Sequence, residues 1–143
     1  MTTPHLARLP DADLAWANAR YAEVDFLPSD ASHFLALAML DGERAGLGRV
    51  VPVSATAGEL GGMVVLPAFR GRGVADALVG FLVAQSRFAE LFCIPFADLV
   101  PLYARHGFVT LPDDAPAPAP VADKLAWCRA HYPRAVALMR RAG

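Results

Sequence analysis

Residues 63–75, Met-Val-Val-Leu-Pro-Ala-Phe-Arg-Gly-Arg-Gly-Val-Ala, carry an apolar strand into a Gly/Arg turn and then into a helix. The strand delivers the chain to the turn, and Gly71 and Gly73 let backbone N–H groups come close to a ligand. The unpaired amides that open the next helix carry roughly half a positive charge. Arg70 and Arg72 add formal charge at the same place. Together these features make an anion site suited to a pyrophosphate.

Three phosphate-binding turns compete for this segment. A Walker A loop requires Lys directly after its last Gly, and the only lysine of the chain, Lys124, lies far downstream with no Gly-rich run before it. A dinucleotide fingerprint requires Gly-x-Gly-x-x-Gly, and here Asp76 stands where the third Gly or Ala belongs. What remains is Arg70-Gly71-Arg72-Gly73-Val74-Ala75, preceded by Val65-x-Pro67, which fits Gln/Arg-x-x-Gly-x-Gly/Ala. It resembles the coenzyme A-binding motif of the N-acetyltransferase superfamily called GNAT. Downstream, Leu102-Tyr103-Ala104-Arg105-His106-Gly107-Phe108 is similar to the Leu-Tyr-x-x-x-Gly-Phe segment that closes the helix after the fifth strand in that superfamily. The resemblance covers roughly residues 33–111 and fades at both ends.

The resemblance implies a GNAT-like α/β fold: a mixed, mostly antiparallel central sheet with a splayed parallel strand pair and helices on both faces, as a single domain over residues 1–143. It implies transfer of an acetyl group from acetyl-CoA, without a metal, directly to a primary amine of a small acceptor. A non-catalytic acyl-CoA-binding or regulatory module of the same fold is the alternative reading.

Composition is compatible with this. The net charge of −1 gives no electrostatic reason to expect nucleic acid or an anionic membrane as partner. The longest apolar stretch, Val74–Ala84, is interrupted by Asp76 and falls short of the ~20 residues a membrane span needs. Met-Thr-Thr-Pro-His at the start lacks the basic segment and apolar core of a signal peptide, and two cysteines do not make a disulfide framework, so the expected location is the cytoplasm. One Lys against twelve Arg reads as genomic composition.

Periodicity predicts a strand within His5–Leu9, an amphipathic helix over Asp11–Glu23, and a hairpin of Phe34–Leu40 with Ala45–Ser54 about the turn Asp41-Gly42-Glu43. A third strand over Glu59–Leu66, a helix from Gly73 to about Arg87 and a buried strand over Leu91–Phe96 follow. Asp98 is placed to cap a short helix ending at Gly107, with a strand over Phe108–Leu111 after it. Pro112–Pro120, with four prolines, reads as a stiff extended loop, Val121–His131 as a helix and Ala135–Met139 as the closing strand.

If the resemblance holds, the pantetheine of the cofactor pairs with backbone around Met63 and Val65, and its pyrophosphate meets the amides of Arg70, Gly71, Arg72, Gly73, Val74 and Ala75. Acyl transfer to an amine needs a base, an oxyanion donor and an acid for the departing thiolate. The resemblance assigns the acid to Tyr103, whose unperturbed value near ~10 is not far above a thiol's ~8.5. The helical spacing of Leu99, Leu102, Tyr103 and His106 fits a core aromatic as well. The candidate oxyanion donor is the Val65 N–H, and the candidate base is Glu59, directly or through water, the other reading of Glu59 being a solvated or structural carboxylate. Strand alternation places Glu59, Gly61, Met63 and Val65 on one face unless a bulge at Gly61-Gly62 resets it.

Cys128 and His131 are spaced for two metal ligands, but no second pair completes a site, and Cys93 reads as a small hydrophobe. Phe96 stands where the family often has Asn at the end of the fifth strand. The second N-terminal helix is shortened or missing between Asp25 and His33, so the acceptor is unusual or is bound with the help of a second subunit, in a homodimer. Asp113 and Asp114, in the proline loop, would favour a cationic acceptor if that loop borders the acceptor site, and are otherwise solvated.

Overall fold

The computed structural model describes residues 3–142, so Met1 and Thr2 of the N-terminal reading lie outside it. The chain runs β1 (His5–Arg8), α1 (Leu14–Glu23), β2 (Phe34–Leu40), β3 (Glu43–Pro52), β4 (Ala57–Val65), α2 (Val74–Gln85), β5 (Glu90–Cys93), α3 (Val100–Ala104), β6 (Val109–Thr110), α4 (Ala119–His131) and β7 (Met139–Ala142). The strands form a mixed, mostly antiparallel seven-stranded sheet in the order β1-β2-β3-β4-β5-β7-β6. Its parallel pair is β4 with β5.

The described residues fall into two compact units, and β3 and β4 each contribute to both. The first holds residues 3–50 and 62–86. Its β2–β3 hairpin closes through Asp41 and Gly42, both at positive φ (54° and 77°), the pairing that matches the twist of the flanking strands in a two-residue turn. Residues 24–33 contain no helix, as the sequence predicts. This segment is instead tied to α1 by paired hydrogen bonds between the Asn18 side chain and the Ser29 backbone (2.7 and 3.0 Å). α2 buries Val74, Leu78, Val79 and Leu82, about 1.5–3 kcal/mol for each large aliphatic side chain fully removed from water. Gly46 admits this helix: a Cβ there would stand 2.9 Å from Val74 Cγ1 and 2.8 Å from the Val64 carbonyl oxygen.

Gly62 takes φ +59° within β4, the backbone of a bulge, and a bulge there resets the alternation on which Glu59, Met63 and Val65 would share a face. A Cβ on Gly62 would lie 2.7 Å from both Arg49 Nε and the Tyr21 hydroxyl, two buried polar atoms without a hydrogen-bond partner among the described residues. Burial pushes the Tyr21 hydroxyl well above the usual phenol range, against the Arg49 charge, whose guanidinium lies 4.4 Å from the ring centroid. Gly62→Ala is therefore expected to destabilise the chain by about 3 kcal/mol, from left-handed strain and displacement of two buried side chains together. Urea unfolding checks this, and an unchanged midpoint would show that the strand relaxes.

The second unit holds residues 51–61 and 87–142. Its core gathers Ala57, Phe92, Val121, Leu125 and Leu138. The sequence reading needs four corrections here. β5 ends at Cys93, because Pro95 supplies no N–H, and Phe96 keeps only an isolated bridge to Val136. The closing strand begins at Met139, while Ala135 and Ala137 bond individually to Ala97 and Pro95. Asp98 caps nothing: it lies inside a 3₁₀ turn, Ala97–Leu99, and accepts from Arg134 at 2.7 Å. Finally, α4 starts at Ala119 and takes Pro120 into its first turn, where a missing N–H is harmless.

Candidate active site

The turn after β4 is built by a short-range sequence logic. Pro67 opens a 3₁₀ turn, Pro67–Phe69, that buries Phe69 and leaves Arg70 extended and exposed. Gly71 and Gly73 then both adopt left-handed backbone (φ 76° and 79°), with no heavy atom within 4 Å of where a Cβ would be. Gly73 is the N-cap of α2 and offers no side-chain cap, so the first-turn amides, those of Val74 and Ala75 among them, are not covered by one. Arg72 donates to Asp41 at 3.0 Å, which offsets its charge and fastens the turn to the hairpin tip.

The edge of β4 follows from hydrogen-bond parity. The Leu66 N–H donates to the Ala45 carbonyl on β3 at 2.8 Å, so the backbone groups of Val65 and Met63 turn to the opposite edge. The parallel register with β5 runs from Ala57 with Glu90 to Leu60 with Cys93 and ends there, while β4 continues to Val65.

Glu59 lies on the paired part of β4 and is buried, and both its oxygens accept from Lys124 Nζ, at 2.7 and 2.9 Å. Tyr103, on α3, is also buried and meets Phe108 edge-on, with centroids 6.0 Å apart. That contact explains the spacing Tyr103-x-x-x-Gly107-Phe108: Gly107 turns left-handed (φ 89°), and the Phe108 N–H returns to the Tyr103 carbonyl at 3.3 Å. Leu99, on the same predicted face, is exposed, so that face is not uniformly core. Burial raises the Tyr103 hydroxyl well above the usual phenol range, and the Cys93 and Glu59 charges raise it further. The near match to a thiol expected from unperturbed values is therefore widened, and Tyr103 stays protonated. Burial also pushes the Cys93 and Cys128 thiols up; Glu59 adds to both, and Lys124 works against it at Cys128.

The remaining candidates are used structurally. His131 stacks on Trp127 at 4.3 Å, and Cys128 is buried in α4. Among the described residues no group of three or more His, Cys, Asp or Glu is placed to hold a metal ion, and no helix is long and apolar enough to cross a membrane. Phe96 lies under the Arg134 guanidinium, 3.9 Å from the ring centroid. Asp113 is paired with Arg129 at 2.8 Å, which offsets the negative charge expected of the proline loop.

The family model for the acetyltransferase (GNAT) domain matches residues 30–110, more than half of the chain. The chain belongs to the GNAT family. As a GNAT protein it is an acyltransferase that takes its acyl group from a coenzyme A thioester and passes it to an amine. No curated protein sequence matches it significantly. Among solved structures it is similar to Rv2747 of Mycobacterium tuberculosis, determined with CoA and NLQ (TM-score 0.75, 19% identity, 98% of this chain and 99% of that one). It is also similar to the N-acetylglutamate synthase of Neisseria gonorrhoeae, complexed with coenzyme A and N-acetyl-glutamate (0.72, 16%, 99% of this chain). It spans 35% of that synthase. The ribosomal-protein-S18-alanine N-acetyltransferase of Escherichia coli matches as well (0.70, 15%, 98% and 94%). At these identities the likeness is one of fold.

Sequence reasoning missed two residues of this GNAT chain. Lys124 is the ion-pair partner of Glu59, and its signal was its rarity among twelve arginines. Arg49 is a buried cation on β3 that donates to the Leu27 carbonyl (2.8 Å) and Ser29 Oγ (2.6 Å), and its signal was a charge inside the otherwise apolar stretch Ala45–Val51.

Proposed function

We propose that the chain is a single-domain N-acetyltransferase that moves an acetyl group from acetyl-CoA directly to a primary amine of a small acceptor. The observation that carries this reading is the turn at residues 70–75, with two left-handed glycines, open space around both and an uncapped helix behind them. In this reading the diphosphate takes the turn amides and Arg70, while Arg72 holds the turn in place through Asp41. The pantetheine amides pair with the turned-out backbone of Met63 and Val65. Glu59 accepts the acceptor's ammonium proton, directly or through one water. Lys124 occupies only part of the roughly four lone-pair sites of that carboxylate. The amine nitrogen then attacks the thioester carbonyl, the Val65 N–H receives the developing oxyanion, and the C–S bond breaks. Tyr103, being protonated, donates to the departing thiolate.

The test combines thermal shift by acetyl-CoA with thiol release over a panel of small amines. Stabilisation together with amine-dependent CoA release supports the enzyme, and stabilisation without release from any amine returns the non-catalytic module. For Tyr103→Phe the expected result is a fall in kcat of about 10²-fold with the KM for acetyl-CoA nearly unchanged, since only the leaving group loses its donor. Equal turnover would leave Tyr103 a core aromatic.

A further inference from the structure

The Glu59–Lys124 pair has a feature the acceptor reaction does not require. Its cation is an amine, seated on the proposed base within proton-transfer distance, at 2.7 Å from Oε1 and 2.9 Å from Oε2. Every other cationic side chain that is not histidine is an arginine. A planar guanidinium would match a buried carboxylate bidentately at least as well, and what lysine alone brings is a nitrogen that becomes nucleophilic on losing a proton. The pair is asymmetric in exposure: the Glu59 side chain is 6% exposed and that of Lys124 23%, so the amine is the reachable partner. Gly61 keeps the space beside the pair clear, since a Cβ there would stand 2.9 Å from Glu59 Oε1 and 3.8 Å from Nζ. The other nucleophiles near Glu59, namely Cys93, Tyr103 and Cys128, are all raised toward their neutral forms by burial and do not compete.

We propose that Lys124 is an acetyl acceptor of this chain, modified in cis when no other amine is bound. The step rests on the acetyltransferase reading with Glu59 as base. Glu59 takes a proton from the Lys124 ammonium, and the neutral Nζ attacks the thioester carbonyl of acetyl-CoA. The C–S bond breaks and the thiolate leaves as CoA thiol with a proton from the acid. The second amine proton passes to solvent, leaving Nε-acetyl-Lys124. The charge of Lys124 is lost in the process, and with it the partner of Glu59, so the modification records exposure of the chain to acetyl-CoA without acceptor.

The experiment incubates the full chain with acetyl-CoA alone and follows intact mass and peptide maps over time. Thermal shift by CoA and acetyl-CoA is measured in parallel, as is a urea-unfolded control. Because the chain has one lysine, the map distinguishes Lys124 from the N-terminal amine without ambiguity. The expected result is one acetyl group on Lys124, formed at a rate independent of protein concentration, absent in Lys124→Arg and slowed at least about tenfold in Glu59→Gln. Stabilisation by acetyl-CoA without acetyl-Lys124 overturns this proposal and leaves the acetyltransferase reading standing. So does modification equally fast in the unfolded chain, or one whose rate rises with protein concentration. Absence of both stabilisation and modification overturns the two together.

Discussion

Gly73→Asp is expected to remove measurable coenzyme A binding, with affinity falling at least about 10²-fold, while the chain stays folded. The fold survives because nothing lies within 4 Å of where the new side chain would start, and Asp tolerates left-handed backbone better than most residues. Binding is expected to fail because a carboxylate would sit at the N-terminus of α2, where the proposed reading places a diphosphate of the same charge. Calorimetric titration of CoA into the variant, with far-ultraviolet circular dichroism as the control for folding, reads both halves. Unchanged affinity would move the phosphate site elsewhere.

Lys124→Met should have the largest effect on stability, a loss of about 3–5 kcal/mol, because it strands the Glu59 carboxylate where only 6% of its side chain meets water. That is a large share of the roughly 5–15 kcal/mol that holds a domain together. The double variant Glu59→Leu, Lys124→Met should recover most of the loss, since a buried pair replaced by apolar groups of similar volume is often neutral. Urea unfolding of the wild type and both variants decides. A single-variant loss under about 1 kcal/mol would mean that water already screens the pair.

The order of elements was legible because hydrophobic periodicity and punctuation act over short range. Phe34–Leu40 and the Asp41-Gly42 turn needed only local information, and the structure reproduces both. The conformation of the turn at residues 70–75 was legible for the same reason: its glycines, arginines and following helix are contiguous. Strand ends were less so. Pro95 stopped β5 short of Phe96, and the closing strand slid to Met139, because pairing partners far away in the chain set where a ladder ends. Least legible was the Glu59–Lys124 pair, whose two halves are separated by 65 positions and whose lysine, viewed alone, carried no periodic signal. The strand-parity reading of Glu59 depends on the backbone at Gly61-Gly62, and the positive φ of Gly62 is a feature that strand periodicity does not reveal.

The Arg72–Asp41 bridge bears on discrimination among the many anions a cell contains. In the free protein the hairpin carboxylate already stands in for an anion, so this guanidinium is not a bare positive charge for any passing phosphate. A lone inorganic anion would have to displace Asp41 with little else to gain. In the proposed reading a diphosphate would use the turn amides and Arg70 and leave Arg72 on Asp41. If the turn binds as proposed, the hairpin would thus keep one of its two cations occupied by the chain itself, so that a lone anion would find less free charge there than the sequence alone suggests.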